Sequence, residues 1–133
     1  MKKSKRKILA VDDEERDRRL IQAMLIPHNY EVILARNGKE AADIAHRSKP
    51  DLILMDIMMP EMDGYTALAV IKGDKTTTEI PIIMVSAVGQ ELNKKLAGNL
   101  GAAGYITKPI DTADLLAAIT HYISTPEDAN SRK

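Results

Sequence analysis

The 133-residue sequence contains no cysteine, no phenylalanine and no tryptophan, and it has only four tyrosines. Without cysteine, neither a disulfide framework nor a thiolate metal site can form, which fits a reducing compartment. Apolar runs extend over only a few residues, far short of the roughly 20 needed to span a bilayer. The basic start is followed by only four apolar residues, 8–11, which is too short for the core of a signal peptide. We therefore expect a cytoplasmic protein with no membrane contact.

Positive charge is concentrated at the two ends of the chain. Of the 19 basic residues, seven lie within 2–7 and 132–133, and the remainder of the chain has 12 basic against 19 acidic residues. An acidic body argues against a nucleic-acid partner. The length predicts one domain, which we place at 7–124, with a disordered basic leader at 1–6 and a polar tail at 125–133. No DNA-binding module is expected after Ser124.

Apolar runs of strand length alternate five times with stretches of helical periodicity. This pattern predicts an α/β fold made of βαβ units, and the nearly continuous apolar strands indicate a parallel sheet covered by helices on both faces. For five strands, a doubly wound sheet in the flavodoxin-like order 2-1-3-4-5 is the natural candidate. The predicted strands are 7–11, 31–35, 51–55, 81–85 and 103–107, and the predicted helices are 14–26, 38–48, 64–73, 89–100 and 111–123.

Helix ends can be read from capping residues. Asn37 with Glu40 three residues later is a capping-box variant for the second helix, and Asp111 can cap the fifth. Pro27 disfavours helical geometry at Ile26, so the first helix should end there, with Asn29 as a left-handed residue beyond it.

Polar side chains follow four of the predicted strands at the point where each strand ends. In open α/β sheets the carboxyl ends of the strands form the ligand-binding edge, so we expect these side chains to converge. Carboxylate oxygens together with phosphate oxygens are the ligands that Mg²⁺ prefers, and the ammonium group suits a phosphoryl group. Singly, each residue has a structural alternative such as a helix cap or a solvated charge, but a carboxylate after a buried run is costly without partners. The set consists of Asp12, Asp13, Asp56, Ser86 and Lys108.

Four segments of the chain resemble the signature blocks of the receiver domain of two-component response regulators, in the right order and spacing. The resemblance covers about residues 7–123 and is closest to stand-alone receivers of the chemotaxis type. The segments are Val-Asp-Asp-Glu-Glu at 11–15, Asp-Leu-Ile-Leu-Met-Asp-Ile-Met-Met-Pro-Glu-Met-Asp-Gly at 51–64, Pro-Ile-Ile-Met-Val-Ser-Ala at 81–87 and Tyr-Ile-Thr-Lys-Pro at 105–109.

The resemblance implies that Asp56 is the phosphoacceptor. Its carboxylate would attack a phosphohistidine on a histidine kinase or a histidine phosphotransfer protein, forming an aspartyl phosphate. Asp12, Asp13, Asp56 and the backbone carbonyl of Met58 would hold Mg²⁺ or Mn²⁺, with Asp12 acting directly or through a water. Such a protein catalyses its own phosphorylation and slow dephosphorylation and is not a turnover enzyme.

The resemblance also implies how the signal is passed on. Lys108, the Ser86 hydroxyl and the backbone of Ala87 would bind the phosphoryl group, while Tyr105 changes its rotamer. This change would reshape the surface formed by helix 4, strand 5 and helix 5, either for an output protein or for onward relay of the phosphoryl group. The peptide bond before Pro109 is expected to be cis by the same resemblance.

Two positions that tune the phosphoryl lifetime in this family are occupied by Met58 and Val88. Because both side chains are apolar, neither can orient an attacking water through a hydrogen bond. We therefore expect a long-lived aspartyl phosphate.

Two other functions stay open from the residues alone. A Mg²⁺-dependent phosphohydrolase could use the same carboxylates and lysine, although Met58 occupies the position where a second acid is expected. A receiver-like binding module that is never phosphorylated is the third possibility. The resemblance also implies that a kinase docks on helix 1 and the loop after strand 5. The candidate docking residues there are Arg16, Arg18, Arg19, Leu20 and Ile110.

Overall fold

A computed structural model describes residues 5–87 and 93–123. Its strands are β1 (Arg6–Val11), β2 (Tyr30–Ala35), β3 (Leu52–Asp56), β4 (Ile82–Ser86) and β5 (Gly104–Thr107). Its α-helices are α1 (Glu15–Leu25), α2 (Gly38–Ser48), α3 (Gly64–Gly73), α4 (Lys94–Asn99) and α5 (Thr112–Tyr122), with a short 3-10 turn at Ile26–His28 after α1. Within these ranges, no helix is long and apolar enough to cross a membrane.

The five strands form one parallel sheet in the order β2-β1-β3-β4-β5, which confirms the predicted fold class. In the register of the central strands, Val11 of β1 lies opposite Met55 of β3, and Asp56 of β3 lies opposite Val85 of β4. The strand order places β1 beside β3, where the connections switch from one side of the sheet to the other. The residues that follow these two strands therefore meet at one edge.

The core lies on both faces of the sheet, as the continuous apolar strands predicted. Alternate residues of β3 point to opposite faces, so that Ile53 packs with the α2, α3 and α4 side and Leu54 packs with the α1 and α5 side. Every residue of β3 is buried. Burial of a Leu or Ile side chain contributes roughly 1.5–3 kcal/mol, so this central strand is firmly anchored and its carboxyl end is a rigid base for a site.

Two of the predicted helix caps are formed by the expected side chains. Asn37 Oδ1 accepts a hydrogen bond from the backbone N–H of Glu40 at 2.8 Å, and Asp111 Oδ2 accepts one from Asp114 at 3.1 Å. Glu40 also reaches back, although to the N–H of Arg36, which precedes the cap residue. Each such cap stabilises a helix by about 1 kcal/mol.

The end of the first helix corrects one expectation. Ile26 keeps right-handed helical geometry, with φ −57° and ψ −43°, because the chain continues directly into the short 3-10 helix Ile26–His28. Pro27 is the second residue of this 3-10 helix. A proline in the first turn of a helix has no N–H that a partner would otherwise have to satisfy. Asn29, with φ 70°, ends the turn in the left-handed conformation that was expected there.

The fourth helix is shorter in the described residues than the predicted 89–100. It begins at Lys94, where Asn93 Oδ1 accepts a hydrogen bond from the N–H of Leu96 at 2.9 Å. Residues 88–92, and with them the predicted start of the helix and Val88, lie outside the described residues. The other strand and helix bounds agree with the predicted ones to within one residue.

Candidate functional site

Three carboxylates gather at the carboxyl edge of the sheet, between β1 and β3. One carboxylate oxygen from each of Asp12, Asp13 and Asp56 lies within 4.8 Å of the other two. Asp12 is 1% exposed and Asp56 is 5% exposed, whereas Asp13 is exposed to solvent. The site therefore has two buried carboxylates and one that opens to solvent, which is a suitable entrance for a cation.

Backbone and side-chain contacts hold Asp12 in place. Its N–H donates to the carbonyl of Ala35 at 3.1 Å, and its Oδ1 accepts from the N–H of Glu14 at 2.9 Å. Arg18 Nη1 donates to the Asp12 carbonyl at 2.7 Å. The cap residue of α1 is Glu14, which makes no side-chain cap, and Asp13 precedes it, so the Asp13 carboxylate is not used as a helix cap.

Among the described residues, Lys108 is the one whose ammonium group forms ion pairs with this carboxylate cluster. Its Nζ lies 2.7 Å from Asp12 Oδ2, 3.0 Å from Asp17 Oδ2 and 3.8 Å from Asp56 Oδ1. Its backbone N–H donates to the carbonyl of Ser86 at 2.7 Å, so the ends of β4 and β5 are tied together. The peptide bond between Lys108 and Pro109 is cis.

The electrostatics of the site follow from burial and crowding. Burial, reinforced by the negative charge of Asp12, raises the pKa of Asp56 from 3.8 to about 7, and Lys108 offsets only part of this rise. Burial alone would lower the pKa of Lys108, but its hydrogen bonds to Asp12 and Asp17 outweigh burial and raise that pKa. Lys108 therefore stays charged, while the carboxylates carry more negative charge than Lys108 can neutralise. A bound divalent cation would relieve this repulsion.

The remaining predicted site residues lie at the end of β4, in the loop after β3 and on β5. Ser86 ends β4 and is 3% exposed, and Ala87 follows it. Met58 follows β3 in the loop to α3, with a side chain that is 62% exposed. Tyr105 faces α4: its hydroxyl donates to the carbonyl of Lys94 at 3.0 Å, and it is 38% exposed.

Two residues of the site were not predicted from the sequence. Asp17 lies in the first turn of α1, shortly after Asp12 and Asp13, and no spacing pattern in the sequence directs its side chain to the site. Gly64 donates its N–H to the Ile57 carbonyl at 2.8 Å, and a Cβ at this position would lie 2.8 Å from Ile57 Cα and would collide with the carbonyl of Asp56. Only glycine therefore allows α3 to begin this close to the end of β3.

A parallel α/β sheet with a carboxylate cluster and a lysine at its carboxyl edge is suited to binding a divalent cation and a phosphoryl group. The sequence model of the family described as "Response regulator receiver domain" matches residues 8–120, and the chain belongs to this family. The domain at residues 8–120 thus belongs to a family of phosphorylation-dependent signalling switches. The family match favours this function over the phosphohydrolase.

Individual relatives show the same likeness. The chain is 39% identical to Protein PilH of Pseudomonas aeruginosa over 113 residues, which cover 85% of this chain and 93% of PilH. It is 41% identical to the response regulator PleD of Caulobacter vibrioides, also over 113 residues, which are 85% of this chain but only 25% of PleD. The chain thus spans about a quarter of the length of PleD.

Solved structures agree with the fold. The chemotaxis protein CheY4 of Vibrio cholerae has a TM-score of 0.83 at 29% identity, covering 90% of this chain and 100% of that one. The receiver domain of the sensor histidine kinase PA1611 of Pseudomonas aeruginosa also has a TM-score of 0.83, at 30% identity, covering 92% of this chain and 100% of that one. That second structure has a magnesium ion coordinated in its active-site cleft.

Proposed function

We propose that Asp56 accepts a phosphoryl group from a phosphohistidine of a histidine kinase or a histidine phosphotransfer protein. The observation that carries this proposal is the position of the Asp56 carboxylate, buried at the end of the central strand among two further carboxylates, with an ammonium group 3.8 Å away. An Asp56 oxygen forms the new bond to phosphorus as the phosphorus–nitrogen bond breaks. The imidazole nitrogen keeps the electron pair of that bond and takes a proton from solvent.

The donor set fits a divalent metal ion. Asp12, Asp13 and Asp56 offer oxygen ligands within 4.8 Å of one another, and the Met58 backbone carbonyl would complete the protein's share of an octahedral set. Mg²⁺ held there, or Mn²⁺ in its place, would neutralise the charge that builds up between the carboxylates and a phosphoryl group. Burial is the main cause of the raised pKa of Asp56, and the neighbouring charges of Asp12 and Asp13, which a cation would offset, raise this pKa further. The magnesium in the PA1611 receiver domain supports it independently.

Lys108 and Ser86 would hold the transferred group. The Lys108 ammonium would pair with one phosphoryl oxygen, and the Ser86 hydroxyl and the backbone N–H of Ala87 would donate to others. Tyr105, packed against α4 through its bond to the Lys94 carbonyl, would then change its rotamer. The result is a two-state change in the surface of α4, β5 and α5, which an output protein reads or which accompanies relay of the phosphoryl group.

The kinase or phosphotransfer protein would dock on α1 and the loop after β5. A cavity of about 670 Å³ lies between these elements, and four of the predicted docking residues line it. Arg18 donates instead to the Asp12 carbonyl, so it supports the site. The four docking residues that line the cavity are Arg16, Arg19, Leu20 and Ile110.

We further propose a domain spanning 7–124 that acts in the cytoplasm without binding nucleic acid or membrane.

The first experiment is the intact mass of the protein after incubation with Mg²⁺ and acetyl phosphate. We expect one phosphoryl adduct on the wild type, none on Asp56→Asn, and none on the wild type with EDTA. Asp43→Asn, which removes an exposed carboxylate on α2, is the matched control and should be labelled like the wild type. No adduct on the wild type would favour a phosphorylation-independent binding module, and steady turnover of a phosphate ester would favour the phosphohydrolase.

A further inference from the structure

Lys108 is shared between two sides of the site. Its Nζ is 2.7 Å from Asp12 Oδ2 and 3.0 Å from Asp17 Oδ2, both within hydrogen-bond distance, but 3.8 Å from Asp56 Oδ1. An ammonium group has three N–H donors, and two of them are directed to Asp12 and Asp17. The ammonium is thus held closer to Asp12 and Asp17 than to the carboxylate that would be phosphorylated.

Asp17 is not one of the three carboxylates that could share a metal ion. A cation bound by Asp12, Asp13 and Asp56 would engage the charge of Asp12 and weaken its hold on Lys108. The charge of Asp17 would stay directed to Lys108 under the same conditions. Asp17 is therefore the competitor of the phosphoryl group for this ammonium when metal is bound.

The position of Asp17 is fixed by its helix. The neighbouring Arg18 donates to the Asp12 carbonyl at 2.7 Å, which ties this turn of α1 to the end of β1. The side chain of Asp17 is 23% exposed and that of Lys108 is 19% exposed, so the pair is partly screened by solvent. Its effect on Lys108 should accordingly be moderate.

We propose that Asp17 is a positioning residue that restrains Lys108 and thereby slows phosphorylation of Asp56. The proposal rests on the proposed function, because it assumes that Lys108 binds the phosphoryl group. Removing the Asp17 charge should release the ammonium toward Asp56 and speed formation of the adduct. If the ion pair were purely structural, its loss would leave the rate of adduct formation unchanged or reduce it.

The test compares initial rates of adduct formation with acetyl phosphate at saturating Mg²⁺. Asp17→Asn should react about two- to fivefold faster than the wild type, the size expected for a partly exposed ion pair. Beryllofluoride, an analogue of the phosphoryl group, should bind to Asp17→Asn more tightly by a similar factor. Asp17→Glu keeps the charge on a longer side chain and should restore the wild-type rate. Glu15→Gln is the matched control, since Glu15 lies on the same helix and pairs with Arg19, away from Lys108.

The double variant Asp17→Asn/Lys108→Met should react no faster than Lys108→Met alone. If Lys108→Met is too slow to measure, the Asp17→Glu result decides. The proposal is overturned if Asp17→Asn reacts at or below the wild-type rate, or if Asp17→Glu or Glu15→Gln is accelerated as much as Asp17→Asn. A wild type that forms no adduct at all overturns the proposed function instead, so the two failures can be told apart.

Discussion

Lys108 Nζ donates a 2.7 Å hydrogen bond to Asp12 Oδ2 across 96 positions of sequence. The side chain of Asp12 is 2% exposed, so its charge has little access to water and depends on this partner. The ion pair joins the ends of β1 and β5, which are separated by two strands in the sheet. It therefore contributes to the stability of the fold as well as to the chemistry of the site.

Replacing Lys108 by methionine should destabilise the protein in the absence of metal. Asp12 would lose its partner beside the buried Asp56, and we expect a cost of about 1–3 kcal/mol in the free energy of unfolding. Urea unfolding in EDTA at pH 8 measures this cost, and added Mg²⁺ should reduce it because the metal replaces the lost positive charge. Lys75→Met, at an exposed position, should change stability by less than about 0.5 kcal/mol. Equal effects of the two variants would contradict the assignment.

Stability should depend on pH through Asp56. Its pKa is raised from 3.8 to about 7 in the folded protein, so the folded state retains a proton that the unfolded state has released between these values. The resulting stabilisation is full below the unfolded pKa and is lost as the pH rises through about 7. Asp56→Asn lacks this group. In EDTA its stability relative to the wild type should rise by about 2–3 kcal/mol between pH 5 and pH 8, measured by urea unfolding. Parallel pH profiles for the two proteins would show that Asp56 does not titrate in this range.

Gly64 should tolerate no side chain. In Gly64→Ala the new methyl group would meet the Asp56 carbonyl and lie 2.8 Å from Ile57 Cα, and relief would require a shift of backbone. We expect a loss of about 2–4 kcal/mol in the free energy of unfolding. Gly73→Ala, at the other end of the same helix, meets nothing within 4 Å and should be neutral or stabilising by up to about 1 kcal/mol. A Gly64→Ala protein as stable as the Gly73→Ala protein would rule out this packing constraint.

The positions of the strands and the starts of two helices could be predicted from the sequence, but some contacts within the site could not. The strands could be placed to within about one residue because each is a short apolar run buried on both faces, with a polar residue at its end. The starts of α2 and α5 could be placed because Asn37 and Asp111 cap these helices through hydrogen bonds to residues three positions later in the sequence. The apolar runs and the helix caps are both defined by residues that lie close together in the sequence.

The features that could not be predicted depend on how distant elements meet. The bond from Lys108 to Asp17 is set by the rotation of α1 about its axis and by its distance from the loop after β5, and neither is encoded in local spacing. The need for glycine at position 64 arises because α3 begins against the backbone of Asp56. Both belong to tertiary packing, which sequence periodicity does not specify.

Substitution of Asp13 should weaken metal binding without destabilising the fold. It is exposed and makes no side-chain cap for α1, so Asp13→Asn should unfold at a temperature equal to or above that of the wild type in EDTA. The substitution replaces one of the three charged oxygen ligands by a neutral amide, and we expect Mg²⁺ affinity to fall by about tenfold or more, measured by isothermal titration calorimetry. Asp63→Asn keeps an oxygen that can cap α3 and should bind Mg²⁺ like the wild type. Unchanged Mg²⁺ affinity in Asp13→Asn would remove this residue from the proposed ligand set.

The aspartyl phosphate should be long-lived because Met58 provides no hydrogen bond to an attacking water. The Met58 side chain is 62% exposed, so it can be changed without disturbing the core. After phosphorylation and removal of the donor, the adduct on Met58→Asn should decay severalfold faster than that on the wild type, because an amide can orient water for attack. Met58→Leu, which stays apolar, should decay like the wild type. Rapid loss of the phosphoryl group from the wild type in Mg²⁺, with no phosphatase present, would contradict this explanation, as would equal decay of all three proteins.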